Sequence, residues 1–225
     1  MKKLKRFIIV LLLLIAAFAV YVEIVNRNTK NMTYRQKVLK AVYPALMWFT
    51  KVTGKNVSKL AGNKQPPVSF HSLKGLLNDG STLDFATLKG KKVLLVNTAS
   101  DCGYTNQYEA LQQLYEQHKD KLVVLGFPAN DFKEQEKGSD AAIQEFCRKN
   151  YGVSFPLMQK SSVIQSPQQN IIYQWLTDSA KNGWNNKMPS WNFSKYLVDE
   201  YGVLTNYFDP SVSPTSADVM KAITN

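Results

Sequence analysis

Val93-Leu-Leu-Val-Asn-Thr-Ala-Ser-Asp-Cys102-Gly-Tyr-Thr105 places one of only two cysteines directly after a hydrophobic run. Val93 to Val96 is too short and too continuously apolar for a surface helix, so it predicts a buried strand. Beyond Cys102, Tyr104, Tyr108, Leu111 and Tyr115 recur at spacings of four, three and four, which marks one face of a helix. Cys102 is therefore expected in a strand-to-helix turn, near a helix start. Unpaired N–H groups and the positive end of the helix dipole favour a thiolate there. A free cysteine of pKa about 8.5 is only a few per cent ionised at neutral pH, and lowering that pKa by about two units makes it mostly anionic. The alternative is a half-buried structural thiol, and position alone does not separate the two.

The surrounding sequence extends the pattern. Leu77-Asn-Asp-Gly-Ser81 predicts a hairpin turn between strands over Phe70 to Leu77 and Thr82 to Phe85. A second buried strand is expected over Leu122 to Phe127, and Ser139 is placed to cap a helix running to about Lys149. Tyr196 to Val198 and Val203 to Phe208, split by Glu200-Tyr-Gly202, predict a closing hairpin. Strand, helix, strand, helix and two further strands make an α/β fold with a mixed central sheet flanked by helices.

Four separated blocks then carry a resemblance. VNTASDCGYTNQYEAL, LGFPANDFKEQEKGSD, EFCRKNYGVSFPL and WNFSKYLVDEYG resemble the glutathione peroxidase family, in the right order, over about Ser69 to Asn225. The resemblance implies a thioredoxin-like fold and a peroxidase with Cys102 as the peroxidatic residue. Motif by motif, it also assigns Gln135, Trp191 and Asn192 as the groups that work with the sulfur. Those three are neutral donors, able to hydrogen-bond an anion without adding a titrating charge. Because the site residue is cysteine and not selenocysteine, slower turnover than in the selenium members is expected.

Cys147 has two readings. Ile143, Phe146 and Cys147 share a helix face, which suits a buried core thiol. The resemblance instead places Cys147 where thioredoxin-dependent members carry a resolving cysteine, making a thioredoxin-like protein the expected reductant and glutathione the lesser alternative. A disulfide needs Cα atoms within about 7 Å, so this helix would have to unwind locally to close one. Two departures stand nearby. The family's FPCNQF is FPANDF here, with Ala129 for a third cysteine and Asp131 expected to raise the Cys102 pKa. The family's GGQEPG is Lys133-Glu-Gln-Glu-Lys-Gly138. The short connection from Tyr173 to Trp191 lacks the insertion of tetrameric members, so a monomer is expected.

The first part of the chain has its own character. Residues 1–66 hold 13 Lys and Arg against one acidic residue, Glu23, whereas the remainder holds 15 basic and 16 acidic residues. The basicity thus belongs to the leader, and the near-neutral remainder argues against nucleic-acid binding. Lys2, Lys3, Lys5 and Arg6 precede an uninterrupted apolar run from Phe7 to Val22. Residues 1–27 are read as an uncleaved membrane anchor, with the lysines cytoplasmic and the rest beyond the membrane. The alternative is a signal peptide cut after Ala17-Phe18-Ala19 and a secreted product.

Residues 28–67 are read as a basic amphipathic juxtamembrane segment and linker, and 68–225 as the peroxidase-like domain. Val38, Val42, Leu46 and Phe49 share a helical face, with Pro44 expected to kink or split the helix. That face suits either the membrane interface or packing on the domain. His71 and His118 show no ligand spacing, so neither metal nor cofactor is expected. The leading functional expectation is a membrane-tethered thiol peroxidase acting on hydrogen peroxide or on organic or lipid hydroperoxides. The rival is a non-catalytic binding or assembly module with a static Cys102–Cys147 disulfide.

Overall fold

The computed structural model describes residues 2–55 and 57–225. Two long helices, α1 (Lys2–Val25) and α2 (Tyr34–Thr53), precede a short strand β1 (Lys59–Ala61). A small hairpin, β2 (Lys74–Leu76) and β3 (Thr82–Asp84), leads into β4 (Lys92–Thr98), α3 (Gln107–His118), β5 (Leu122–Pro128) and α4 (Asp140–Tyr151). Short helices α5 (Ile171–Leu176) and α6 (Ser179–Asn182) come before β6 (Lys195–Val198), β7 (Leu204–Phe208) and the terminal α7 (Ala217–Thr224).

The central sheet has the order β1-β7-β6-β4-β5. Only β4 and β5 run parallel, joined by the α3 crossover, and the other pairs are antiparallel. Val93 to Val96 are fully buried, as a central strand covered on both faces requires. Alternation along β4 sends Leu94 and Val96 into one core and Val93 and Leu95 into the other. This is the mixed-sheet thioredoxin-like α/β fold expected from the sequence.

Three local expectations change. Phe70–Ser72 is a 3-10 turn, so the first hairpin is shorter than its apolar pattern suggests. Lys59–Ala61, inside the segment read as leader and linker, pairs with β7 and forms an edge of the main sheet. Pro44 sits within α2 without splitting it. A capping box between Thr33 and Gln36 starts this helix and Gly54 in the left-handed region (φ 67°) ends it. The carbonyl of Ala41, one turn before Pro44, also accepts a bond from Tyr21 Oη (3.4 Å).

Helix α1 has 24 residues and an apolar, almost wholly exposed surface. At 1.5 Å per residue it is about 36 Å long, enough to cross a hydrocarbon core of about 30 Å. A signal sequence has the same character. Its end packs on α2: Asn26 Nδ2 donates to Lys37 O (3.0 Å), and Lys37 pairs with Glu23 (2.9 Å).

Helix α2 in turn packs on the domain. Tyr43, Leu46 and Met47 lie against the core that holds both cysteines. Gln36 Nε2 donates to Ser100 O (3.2 Å), Arg35 pairs with Asp101 (2.7 Å) and Lys40 with Glu109 (2.9 Å). Lys40 Nζ also lies 4.9 Å from the Tyr151 ring centroid. Of the two placements open to this segment, packing on the domain is realised. The shared face divides, however, with Leu46 turned inward and Phe49 half exposed.

Candidate active site

Cys102 lies in the turn that follows β4. Thr105 Oγ1 donates to Ala99 O (2.8 Å) and accepts from Cys102 N (3.0 Å), and Thr105 N bonds Cys102 O (3.1 Å). These bonds close the turn and fix the sulfur, which accepts from Tyr104 N at 3.4 Å. Gly103 suits the covering helix: a methyl built there would stand 3.1 Å from Leu46 Cδ2.

The residue is 1% exposed, and burial pushes its thiol up to about 11. The Tyr104 N–H and the side chains of Asn192 and Trp191 pull the other way, while the Asp101 carboxylate adds to the rise. The thiolate expected from a helix start is therefore not the resting form. The first residue of α3 is Gln107, well past the sulfur, and desolvation by burial outweighs the donors.

Gln135, Trp191 and Asn192 come from distant loops and meet here. Asn192 Nδ2 donates to Gln135 Oε1 (2.9 Å), and Gln135 O accepts from Asp101 N (3.0 Å), which ties the loop to the Cys102 turn. Lys133 and Glu134, just before Gln135, both hold left-handed backbone (φ 53° and 51°). These are the positions where the family pattern has two glycines, for which that conformation costs little. Asn97 holds the second loop, with Nδ2 donating to Trp191 O (3.0 Å) and its carbonyl accepting from Phe193 N (2.6 Å). Phe132 packs on the Trp191 ring at 5.4 Å, and Lys133 Nζ lies 5.8 Å from that ring's centroid.

Cys147 is fully buried on the inner face of α4, in the same core as Cys102. Both thiols are free. Burial pushes Cys147 up to about 12, the Tyr108 hydroxyl counters that rise and Glu136 adds to it. Asp131 does not act as expected. Its carboxylate is engaged by Ser162 Oγ (2.9 Å) and Val163 N (2.7 Å) and anchors that loop, away from Cys102. The charge that does reach the sulfur is Asp101.

Two charged residues were missed by sequence reasoning. Glu136 is buried, accepts from Ser100 Oγ (3.0 Å) and is pushed up from 4.5 to about 7 by burial. Lys195 is wholly buried, and its Nζ donates to the carbonyls of Phe193 (2.8 Å) and Pro210 (3.2 Å), with desolvation holding it well below the usual lysine range. A lysine inside the apolar run Phe193 to Val198 was the available signal. A cleft of about 390 Å³ opens beside Gln135, between Gln36, Asp101, Glu136 and Phe146. Among the described residues, no group of three or more His, Cys, Asp or Glu side chains is placed to hold a metal ion.

Residues 70–177 match the glutathione peroxidase family model. The glutathione peroxidase-like peroxiredoxin GPX5 of Chlamydomonas reinhardtii is 44% identical over 148 residues, covering 65% of this chain and 90% of the relative. Glutathione peroxidase-like peroxiredoxin 2 of Saccharomyces cerevisiae is 44% identical over 151 residues, covering 67% and 93%. The crystal structure of Trgpx in apo form superposes with a TM-score of 0.55 at 31% identity, over 71% of this chain and 97% of the other. A thioredoxin-like sheet with a cysteine at the tip of its first parallel strand, matched in sequence over nearly the full length of such relatives, belongs to the glutathione peroxidase family of thiol peroxidases.

Proposed function

We propose that Cys102 is the peroxidatic nucleophile, with Gln135, Trp191 and Asn192 as its neutral donors and Cys147 as its resolving thiol. The observation that carries this reading is one buried sulfur reached by the side chains of Trp191 and Asn192, with Gln135 of a distant loop joined to Asn192 by a hydrogen bond. The thiolate attacks one oxygen of the peroxide, the O–O bond breaks, and the leaving alkoxide or hydroxide takes up, through water, the proton lost by the thiol, giving an alcohol or water. Cys102 is left as a sulfenic acid. The Cys147 thiol then displaces water from it, forming the disulfide, which a thioredoxin-like dithiol reduces by exchange. When water and peroxide reach Cys102, the desolvation that raises its pKa falls away, and the Tyr104, Trp191 and Asn192 donors remain to favour the anion. Cys147 reaches the sulfenic acid by unwinding of the last turns of α4, which end at a left-handed Gly152.

The chain is held in the membrane by an uncleaved α1, with the domain on the extracytoplasmic side. The rival module needs a static disulfide, and no bond joins the two thiols. Stopped-flow peroxide consumption by the reduced protein, followed by tryptophan fluorescence, tests the assignment. Cys102→Ser is expected to abolish turnover, and retention of more than a small residual rate removes Cys102 from the role. Cys147→Ser is expected to consume about one equivalent of peroxide, stall with thioredoxin, and accumulate sulfinic acid at Cys102. Unchanged thioredoxin-dependent turnover in that variant refutes the resolving role.

A further inference from the structure

Helix α2 is apolar on two sides. Tyr43, Leu46 and Met47 pack on the core beside Cys102. Ala45, Trp48, Phe49 and Val52, at i, i+3, i+4 and i+7, share a different face. Trp48 is 67% exposed, Phe49 50% and Val52 65%. A helix with two apolar faces calls for cover on both, and a contiguous exposed apolar patch marks an interaction surface.

The neighbouring helix indicates what supplies the cover. Asn26, just past the end of α1, meets Lys37 of α2, and Tyr21 of α1 meets Ala41. Stepping back along α1 thus steps forward along α2 as far as Tyr21 and Ala41, while α1 before Ala19 is wholly exposed, so the two helices part where the apolar span begins. Trp48, Phe49 and Val52 lie beyond Ala41, on the half of α2 that leaves α1 at the level of Tyr21, the end of its apolar run. Lys51 and Lys55 beside them are exposed, and α2 contains no Asp or Glu. Tryptophan and lysine are residues that settle at the headgroup level, where basic charge is attracted to anionic lipid.

We propose that the exposed face of α2 docks into the headgroup–acyl boundary of the bilayer that α1 spans. Helix α2 is then clamped between lipid on one side and the Cys102 turn on the other. Because Leu46 contacts the site of Gly103 from the inner face, Cys102 lies within about one helix diameter, ~10 Å, of the lipid. The inference rests on retention of α1, which recovery of the protein in washed membranes tests separately from docking.

The test uses the full chain in nanodiscs of phosphatidylcholine and phosphatidylglycerol, with or without brominated acyl chains. Wild type is compared with Trp48→Phe, which removes the fluorophore and keeps an aromatic ring on the docking face. Brominated chains are expected to quench wild-type emission, with that added loss disappearing in Trp48→Phe, while aqueous iodide quenches the two proteins alike. Iodide quenching that vanishes in the variant places Trp48 in water and overturns the proposal. Shielding of Trp48 from both quenchers places a second protein surface on it and overturns the proposal equally. Since α1 holds the protein in the disc in every arm, a negative result speaks to α2 alone.

Discussion

On one side of the central sheet, Phe70, Phe85, Tyr173 and Trp175 pack with Val93, Leu95 and Tyr196. On the other, Cys102 and Cys147 share a core with Tyr108, Phe155 and Phe193. Both cores are buried, yet they are completed differently. The first is closed by the domain's own residues, with Trp175 Nε1 donating to Val68 O (2.7 Å). The second is completed by the leader, through Tyr43, Leu46 and Met47. Buried polar atoms without a hydrogen-bond partner occur on both sides, Asn192 Oδ1 beside the thiols and Tyr173 Oη in the other core. Such groups cost stability when buried, and buried titrating groups mark reactive sites. The two sides therefore differ in what closes them: one is sealed by the domain itself, and the other needs α2 beside its thiols.

Four substitutions can break or sharpen that contrast. Trp175→Ala, on the purely structural side, is expected to cost about 3–5 kcal/mol. Peroxide turnover measured well below its unfolding transition should stay near wild type, and a selective loss of turnover would end the division between the sides. Glu136→Gln tests the thiol side through pH. The folded carboxyl titrates at about 7 against 4.5, so its share of stability is fully present below 4.5 and is lost as pH rises through 7. Removing the charge should leave stability unchanged at pH 4 and raise it at pH 8 by up to about 3 kcal/mol. Denaturant melts at the two pH values give the comparison, and a stabilisation independent of pH would contradict it.

Lys195→Met should cost about 1–3 kcal/mol, because the buried Phe193 carbonyl loses its lysine donor while Pro210 O keeps the bond from Gln107 Nε2 (2.6 Å). Turnover should fall with it as the Trp191–Asn192 loop loosens, so unaltered kinetics would detach this lysine from the site. The smallest effect on stability is expected for Leu46→Ala, about 1 kcal/mol for a half-buried side chain. Alkylation of Cys102 by a small thiol reagent should nevertheless speed up. An unchanged alkylation rate would show that α2 does not limit access to the sulfur.

Much of the frame was legible because it depends on continuous apolar runs. Val93 to Val96 and Leu122 to Phe127 are too short to be helices and too apolar to face water. Strand β1 was not legible: Lys59-Leu-Ala has no pattern, and its pairing depends on β7. Helix α7 follows a proline-rich turn and was not read, although Ser216 caps it. At the site, Cys102 stood out by position, whereas Gln135 and Asn192 were named only through resemblance, since no local spacing signals a bond between residues 57 apart. Glu136 and Lys195 were passed over because charged residues usually face solvent. Position alone left a thiolate and a buried thiol both open at Cys102, because burial is a property of the assembled fold.

The pairing of β1 with β7 sets an order of events during synthesis. Lys59 is made well before its partner Phe208, so β1 must wait for β7. Such non-local pairing is slow to form and leaves surfaces open in the meantime. The first-made strand is thus among the last to pair, and the edge of the sheet it covers stays open until β7 has formed.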